Sequence, residues 1–411
     1  MQNIVIDKPY VPVPPHRGRI WPALLGWYVP RLLRKQYGVV KVECVHADRL
    51  AASIRAGHGI VVAPNHCRDE DPLVLSVLSR CAGSPFFIMA SWHLFMQTKL
   101  RRFLLQRAGA FSIYREGIDR TAINTATEIL ENAERPLVIF PEGYIARTND
   151  RLNDLMDGVA LIARSAAKKR AKMEPPRKVV VHPVAIRYLF HGDINAAATR
   201  VLDEIEQRLT WRPSRQMPLI DRIYKVGGAL LTLKELEYLG HPQTGLIGER
   251  LQRLIDGILS PLEDEWADGD HDGSVNARVK RLRSAILPEM IKGEIDESER
   301  DRRWRQLADV YLANEAAQYP PEYVKSNPTP MRILETIERF EEDLTDKVRV
   351  HGNLTATLTV GEAIEVSPAR QERGSGGDPL LREVESQLRS MLGLTKPAAS
   401  TPAEVQPVAG T

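Results

Sequence analysis

Apolar and polar positions follow two different periods in the first half of the chain. Residues 39–45 alternate apolar and polar side chains, as a half-buried strand does, and residues 59–63 form the continuous apolar run of a buried strand. The same patterns predict further strands over 85–90, 110–114, 137–140 and 179–188, and helices near 48–56, 72–81, 91–107, 119–133 and 154–172. This alternation predicts an α/β fold with a mixed, largely parallel central sheet flanked by helices.

The second half of the chain has a different pattern. Residues 195–346 read as successive amphipathic helices, near 196–211, 220–238, 243–261, 274–291, 297–318 and 330–346. Strand character returns at 347–351, 354–360 and 362–366, and a last amphipathic helix is predicted over 378–394. We therefore expect a first α/β part over 38–194, an all-helical insertion over 195–346, a completing α/β part over 347–394 and a disordered tail over 395–411.

The N-terminal arm, residues 1–37, is a separate segment. It begins Pro-rich and extended, and residues 20–37 combine aromatic and leucine side chains with a basic C-terminal half. Pro22 and Pro30 predict short helical pieces there. Two interpretations stay open: an interfacial membrane anchor, or an apolar arm packed on the protein's own core. No apolar run approaches about 18 residues, so any membrane contact would be at the surface.

Composition limits the partners, cofactors and cellular compartment that we expect for this protein. The net charge of +3 gives no reason to expect a nucleic-acid partner, although local basic clusters suit either solvated helix faces or an anionic membrane or acyl carrier. Three cysteines without metal-ligand spacing indicate a reducing compartment and no metal or other cofactor. Because the N-terminus lacks a secretory pattern, we expect a cytoplasmic protein that is peripheral on the membrane's cytoplasmic face. The oligomeric state stays open.

Residues suited to chemistry follow the predicted strand ends. His66 follows the strand at 59–63 with Asp71 five residues later, and Arg115, Glu142-Gly143 and the His182-Pro183 strand come further along the chain. Ligands of open α/β sheets gather beyond the carboxyl ends of the strands, so these groups are expected to share a crevice. Histidine is the usual general base near neutral pH, and a carboxylate fixes its orientation.

These motifs, in this order, resemble those of the glycerolipid acyltransferases, and especially the 1-acylglycerol-3-phosphate acyltransferases. They are Asn-His-x4-Asp at 65–71, Gly-x-Phe-x-Ile-x-Arg at 109–115, Phe-Pro-Glu-Gly at 140–143 and an apolar strand with an interior proline at 179–188. The resemblance covers about 38–190 and resumes at 347–366, where Gly361-Glu362 resembles the family's late turn.

The resemblance implies transfer of a fatty acyl group from an acyl-CoA or acyl carrier protein to the hydroxyl of a lysophospholipid, giving phosphatidate when 1-acylglycerol-3-phosphate is the acceptor. By family likeness, His66 is the catalytic base and Asp71 its partner. Arg115, Glu142 and Gly143 would hold the acceptor and its phosphate, with Glu142 orienting Arg115 or accepting a glycerol hydroxyl. Two other interpretations remain open. One is an enzyme that carries out the same chemistry on a different lyso-acceptor, and the other is a catalytically silent membrane scaffold whose helical insertion binds partners.

The chain departs from the family pattern after Phe-Pro-Glu-Gly. Arg147 stands two residues later than the family's arginine, and Leu155-Met156-Asp157-Gly158 replaces its basic segment. Arg147 is therefore an open candidate for phosphate binding. Structural alternatives also exist for the other residues: Asp71 as the N-cap before Pro72, Arg115 as an ion-pair partner, and Cys67 as a thiol nucleophile, which its position beside His66 disfavours.

Overall fold

The computed structural model describes residues 10–115, 117–345, 347–369 and 377–394. Its strands form one eight-stranded sheet. They are β1 (Val39–Val45), β2 (Gly59–Pro64), β3 (Phe87–Ser91), β4 (Ala110–Ile113), β5 (Leu137–Val138), β6 (Val179–Phe190), β7 (Leu354–Val360) and β8 (Ile364–Glu365). The strand order is β1-β7-β6-β2-β5-β3-β4, and β8 pairs with β6 beside β7.

Most neighbouring strands are parallel. β6, β2, β5, β3 and β4 run in one direction, whereas β7 and β8 lie antiparallel to β6, and β1 pairs with β7 in parallel. The prediction of a mixed, largely parallel sheet is therefore confirmed. β2 lies between β6 and β5, so the loop that follows it opens near the middle of the sheet.

The helices of the α/β part flank this sheet. They are α1 (Ile20–Tyr37), α2 (Ala47–Arg55), α3 (Asp71–Cys81), α4 (His93–Met96), α5 (Lys99–Ala108), α6 (Arg120–Asn132), α7 (Gly158–Arg170) and, near the C-terminus, α15 (Pro379–Leu392). Between β6 and β7 the described residues form seven helices joined by loops. Those helices are α8 (Ile194–Arg208), α9 (Leu219–Leu239), α10 (Ile247–Trp266), α11 (Val275–Lys292), α12 (Glu297–Ala317), α13 (Tyr323–Ser326) and α14 (Pro330–Thr345).

Burial on both faces explains the apolar run of β2. Ile60 and Val62 face a core that α1, α3, α8 and α14 help to form, while Val61 and Ala63 face a second core under α6, α7 and α15. A strand covered on both faces needs apolar residues at every position. The loop that follows β2 therefore begins at a strand buried on both faces.

Two predicted elements differ from the structure. Residues 20–37 form one continuous helix, not short pieces: Pro22 lies in the first turn, where its missing N–H has no intrahelical partner, and Pro30 is tolerated while Val29 and Leu33 are buried beside it. The helix ends at Gly38, which adopts φ +68°.

Residues 347–351 were predicted to form a strand, but these residues are not a strand in the structure. The backbone N–H of Arg349 donates to the Glu341 carboxylate at 2.9 Å, and His351 bonds the same carboxylate at 2.9 Å. Because α14 satisfies these groups, the segment is held without a strand partner. The predicted tail, 395–411, and residues 1–9 of the arm lie outside the described residues.

Candidate functional site

His66 and Asp71 are in direct contact at the carboxyl end of β2. The Nδ1 atom of His66 lies 2.8 Å from Oδ2 of Asp71, and the imidazole stacks on the Phe140 ring at 4.0 Å between centroids. A carboxylate on Nδ1 places the ring proton there and leaves Nε2 to accept a proton. The His66 side chain is 14% exposed, so the ring is both fixed and accessible.

Asp71 is fully buried and holds the whole loop. Its Oδ2 also accepts the backbone N–H groups of Cys67 and Arg68 at 2.7 and 3.0 Å, and its Oδ1 accepts the Tyr188 hydroxyl at 2.7 Å. The alternative that Asp71 caps α3 is wrong: α3 begins at Asp71 itself, and the carboxylate turns back into the preceding loop. These bonds orient the carboxylate toward His66 from several directions.

Glu142 holds His66 from the other side. One carboxylate oxygen accepts the backbone N–H of His66 at 2.8 Å, and the other accepts both the backbone N–H and the side-chain amide of Asn153, at 2.9 and 2.8 Å. Burial raises the pKa of Glu142, although these hydrogen bonds partly offset the rise. The expectation that Glu142 orients Arg115 is wrong, because its oxygens join two loops of the backbone instead. Glu142 is a positioning residue.

Arg115 reaches the same loop by a different contact. Its exposed guanidinium donates to the carbonyl oxygen of Gly143, which has φ +76°. The left-handed conformation at Gly143 turns this carbonyl outward, and a side chain there would be strained. Sequence reasoning grouped Arg115 with Glu142-Gly143 correctly, but the bond joins Arg115 to the glycine backbone.

Arg147 binds the helical segment. Its guanidinium forms a two-pronged ion pair with Glu342 of α14, with Nη2 3.0 Å from Oε1, and its Nε lies 3.7 Å from Glu315 of α12. Arg147 has φ +54°, so a strained backbone presents this side chain. The structure therefore does not support the open candidacy of Arg147 for phosphate: two carboxylates already neutralise it.

A polar cleft of about 220 Å³ lies beside the loop at 65–70 between β2 and α3, which we call the His66 loop. Its walls include Cys67 to Glu70 from that loop, Ile145 and Arg147 from the following loop, and Glu335, Glu338 and Glu342 from α14. Arg68 pairs with Glu70 at 2.7 Å and with Glu338 at 2.9 Å. The two arginines of these loops are therefore matched by carboxylates, and the cleft is not a simple cationic pocket.

Cys67 is not suited to nucleophilic chemistry. Its side chain is buried, and burial raises the pKa of the thiol well above its usual value, with nearby Asp71 adding to the rise. A neutral, enclosed thiol is a poor nucleophile. His66 and Asp71 are therefore the pair in this loop that can act on a proton.

Several residues that build the site were missed from the sequence. Tyr188 lies 117 positions from Asp71, and only the pairing of β6 beside β2 brings them together. The side-chain amide of Asn65 donates to the backbone C=O of Ile186 and accepts its N–H. The amide of Asn149 makes the same two bonds with Tyr188, which also lies on β6. An asparagine directly before the histidine was the available signal, since its amide can continue a strand ladder after the strand itself ends.

A half-buried histidine held by a fully buried aspartate, near the middle of a largely parallel sheet, is an arrangement that can activate a hydroxyl. Residues 41–187 match the family model described as Acyltransferase. This segment is therefore an acyltransferase domain, and the match supports the resemblance to the glycerolipid acyltransferases over the same stretch. No protein in a search of curated proteins matches the chain.

Proposed function

We propose that the protein transfers a fatty acyl group from an acyl-CoA or acyl carrier protein to the free hydroxyl of a lysophospholipid. The leading acceptor is 1-acylglycerol-3-phosphate, which would give phosphatidate. The observation that carries the proposal is the 2.8 Å contact between His66 Nδ1 and a buried Asp71 within an acyltransferase domain. An alcohol needs a base near neutral pH, and this pair provides one.

The reaction requires four bond changes. His66 Nε2 takes the hydroxyl proton as the acceptor oxygen bonds to the thioester carbonyl carbon. The carbon–sulfur bond then breaks, and the imidazolium returns its proton to the departing sulfur, which leaves as a thiol. Asp71 stabilises the imidazolium between these steps, as the acid of a Ser-His-Asp triad does. The acceptor is the nucleophile, so no covalent acyl-enzyme forms.

We assign the binding of an acceptor phosphate to Arg115. It is exposed, lies at the Glu142-Gly143 loop and carries a planar guanidinium that suits phosphate oxygens. We expect Arg115→Ala to raise the KM for the acceptor more than the KM for the donor. A larger effect on the donor would contradict this role.

A second acceptor class is favoured by the ion pairs of the polar cleft. Arg68 and Arg147 are paired with Glu338 and Glu342, so positive charge near the acceptor site is balanced. A lysophospholipid with a larger or zwitterionic head group would suit such a cleft better than a phosphate monoester does.

The membrane surface is the proposed place of action. α1 exposes Ile20, Leu24 and Trp27, and α5, which packs against α1 through a Trp21–Phe103 ring contact at 5.5 Å, exposes Leu100 and Phe103. The same two helices also carry basic residues: Arg31, Arg34, Lys35, Arg101, Arg102 and Arg107. Together they suit shallow insertion into an anionic leaflet from the cytoplasmic side. Within the described ranges, no helix has the length and hydropathy that crossing a membrane requires.

The test uses purified protein, palmitoyl-CoA or palmitoyl acyl carrier protein, and a panel of lysophospholipids, with products read by mass spectrometry. We expect a diacyl product with at least one acceptor. His66→Ala should lower turnover by roughly 10²–10⁴-fold. If the His66→Ala protein keeps its activity, the mechanism is wrong; if neither protein acylates any acceptor but both restore a cellular phenotype, the scaffold interpretation replaces the enzyme.

A further inference from the structure

The helical segment contains a second cavity, of about 270 Å³, next to the polar cleft. Helices α9, α10, α12 and α14 form most of its wall. The apolar side chains at its surface include Leu230, Leu231, Leu251, Leu254, Leu312, Ala316, Phe340 and Leu344. We refer to it as the helical cavity. Its volume is near the lower limit of ordinary small-ligand sites, about 300–1,000 Å³.

The helical cavity and the polar cleft share one wall. Arg147, Glu335, Arg339 and Glu342 line both spaces. The polar cleft in turn is lined by Cys67 to Glu70, which directly follow His66. An apolar pocket that shares charged lining residues with a polar cleft beside the His66 loop suits a molecule with a long hydrocarbon part and a polar end.

Large apolar side chains in this cavity are left partly uncovered by the protein. Leu230, Leu251 and Leu312 are half-buried, and all three line the cavity. Covering such side chains with hydrocarbon is favourable, and each methylene moved out of water strengthens binding by about fourfold. The cavity is therefore built for an apolar occupant.

We propose that the helical cavity binds the fatty acyl chain of the thioester donor. The inference rests on the proposed function, because it takes acyl transfer at His66 as the reaction. The acceptor is a membrane lipid whose own chain can stay in the bilayer, beneath the exposed apolar surface of α1 and α5. A donor carried by coenzyme A or a carrier protein arrives through water, so the protein must shelter its chain. In this arrangement the helices between β6 and β7 set the chain-length preference.

The test fills the cavity and measures chain-length preference. Leu230→Trp on α9 places a larger side chain in the cavity, and Leu236→Trp, on the same helix but exposed and outside the lining, is the matched control. We expect the ratio of kcat/KM for palmitoyl-CoA to that for octanoyl-CoA to fall about tenfold in Leu230→Trp and to stay unchanged in the control. Leu230→Ala, which enlarges the cavity, should change the ratio in the opposite direction and serves if the tryptophan variant does not fold.

Two further measurements separate the possible failures. With a fixed donor, the kcat/KM values for acceptors of different chain lengths should be the same in Leu230→Trp as in the parent. If the substitution changes the preference for acceptor chain length and not for donor chain length, the donor assignment is wrong. Binding of parinaric acid, a fluorescent fatty acid, is measured in the His66→Ala protein with and without Leu230→Trp. Leu230-dependent binding, together with a parent protein that transfers no acyl group to any acceptor, would reject the proposed function and keep the cavity. An active parent enzyme whose chain-length ratio and fatty-acid binding do not change in Leu230→Trp would reject the cavity.

Discussion

Carboxylates around His66 differ in their properties because their surroundings differ. Asp71 accepts three N–H or O–H groups besides His66 and acts as the fixed partner of the ring. Glu70, next to it, is nearly enclosed, and burial raises its pKa to about 7 although Arg68 partly offsets the rise. Glu142 uses both oxygens to hold backbone. Hydrogen-bond partners, not residue type, therefore separate the catalytic partner from the positioning groups.

The Tyr188 hydroxyl tests how far the orientation of Asp71 matters. Tyr188→Phe removes the O–H that donates to Oδ1 and leaves a buried carboxylate oxygen without its partner. We expect kcat to fall by about tenfold with little change in either KM, and the acidic limb of the pH–kcat profile, where the general base becomes protonated, to shift. The measurement is steady-state kinetics between pH 5 and 9.

Tyr323→Phe is the matched control for that experiment. Tyr323 also donates to a buried carboxylate, Glu335, at 2.6 Å, and its hydroxyl bonds neither Asp71 nor His66. Because Tyr323 lines the helical cavity, kcat is compared at a saturating donor concentration. Both substitutions should cost about 1–3 kcal/mol of stability, since each leaves a buried acceptor unpaired. If both variants lose turnover equally with unchanged pH profiles, Tyr188 has a structural role only.

Glu335 of α14 gives the protein a predictable pH dependence of stability. Complete burial raises its pKa to about 8 from an ordinary 4.5, although hydrogen bonds from Tyr323 and Asn149 partly offset the rise. Between these values the folded protein holds a proton that the unfolded chain has released, so the free energy of unfolding falls as the pH rises through that window. Glu335→Gln should reduce this fall by about 2 kcal/mol between pH 6 and 8.

Urea unfolding at pH 6 and 8 measures the effect, and Glu235→Gln provides the control. Burial opposes ionisation of Glu235, but bonds from Arg250 and Gln243 outweigh it and lower its pKa. Its contribution is then complete above about 4.5, so this variant should lose the same stability at both pH values. A parent protein whose stability does not change between pH 6 and 8, or a Glu335→Gln variant with the parent's slope, would contradict the assignment.

The candidate site could be predicted from sequence only as far as local spacing reaches. The five-residue separation of His66 and Asp71 and the Glu142-Gly143 turn are local features. The contact between the His66 ring and the Asp71 carboxylate agrees with the first of them. The partner of Glu142 is Asn153 and the partner of Arg147 is Glu342, 195 positions away. A sequence pattern shows that a charged side chain exists but not which distant group will neutralise it.

At the scale of elements, α1 and α5 form one surface although three strands and three helices separate them along the chain. Trp27 is 81% exposed and Leu24 is 59% exposed, which is unusual for large apolar side chains on a helix that also contacts the core through Leu33. The helix therefore has two apolar faces, one packed on the protein and one open. The packed face agrees with the interpretation of an arm that covers the protein's own core, and the open face is the one that our proposed membrane contact uses.

Replacing Leu24 and Trp27 by serine should weaken binding to vesicles of anionic phospholipid by at least about tenfold, because each side chain contributes about 1.5–3 kcal/mol when buried in the interface. The measurement is co-sedimentation with vesicles at low and high salt. Leu246→Ser, at a residue that is 71% exposed before α10, is the control and should bind as the parent does. Equal binding by all three proteins would reject α1 as the contact surface.

The elements themselves were largely predictable, and their exceptions have local causes. Continuous apolar or alternating runs identified the strands of the parallel part, because burial on one or two faces fixes the side-chain period. Residues 347–351 have the alternation of a strand, yet Glu341 binds Arg349 and His351 and takes the place of a neighbouring strand. Period alone does not reveal such a competing partner.

For the whole molecule, the helices between β6 and β7 do not form one separate body. α8, α9 and α14 contribute Val201, Ile223 and Phe340 to the same core as Ile60 and Leu358 of the sheet. α10, α11 and α12 form a different core around Leu259, Leu282 and Val310, which reaches the α/β part through Trp92. The amphipathic pattern showed that each helix buries a face, but not which core receives it.

This division predicts two steps of opening in native-state hydrogen exchange. α11 and α12 pack mainly against α10 and each other, so they can open while the sheet core stays intact, whereas α14 shares the core of β6 and should be protected with it. Mass spectrometry of exchanged peptides, in low concentrations of urea, should show α11 and α12 exchanging earlier and in concert. Leu282→Ala, in the second core, should speed exchange there and leave β6 and α14 unchanged, because the cavity it creates lies within that core. If α14 exchanges together with α11 and α12, the prediction is wrong. The helices between β6 and β7 would then open as one unit and the sheet as a second unit.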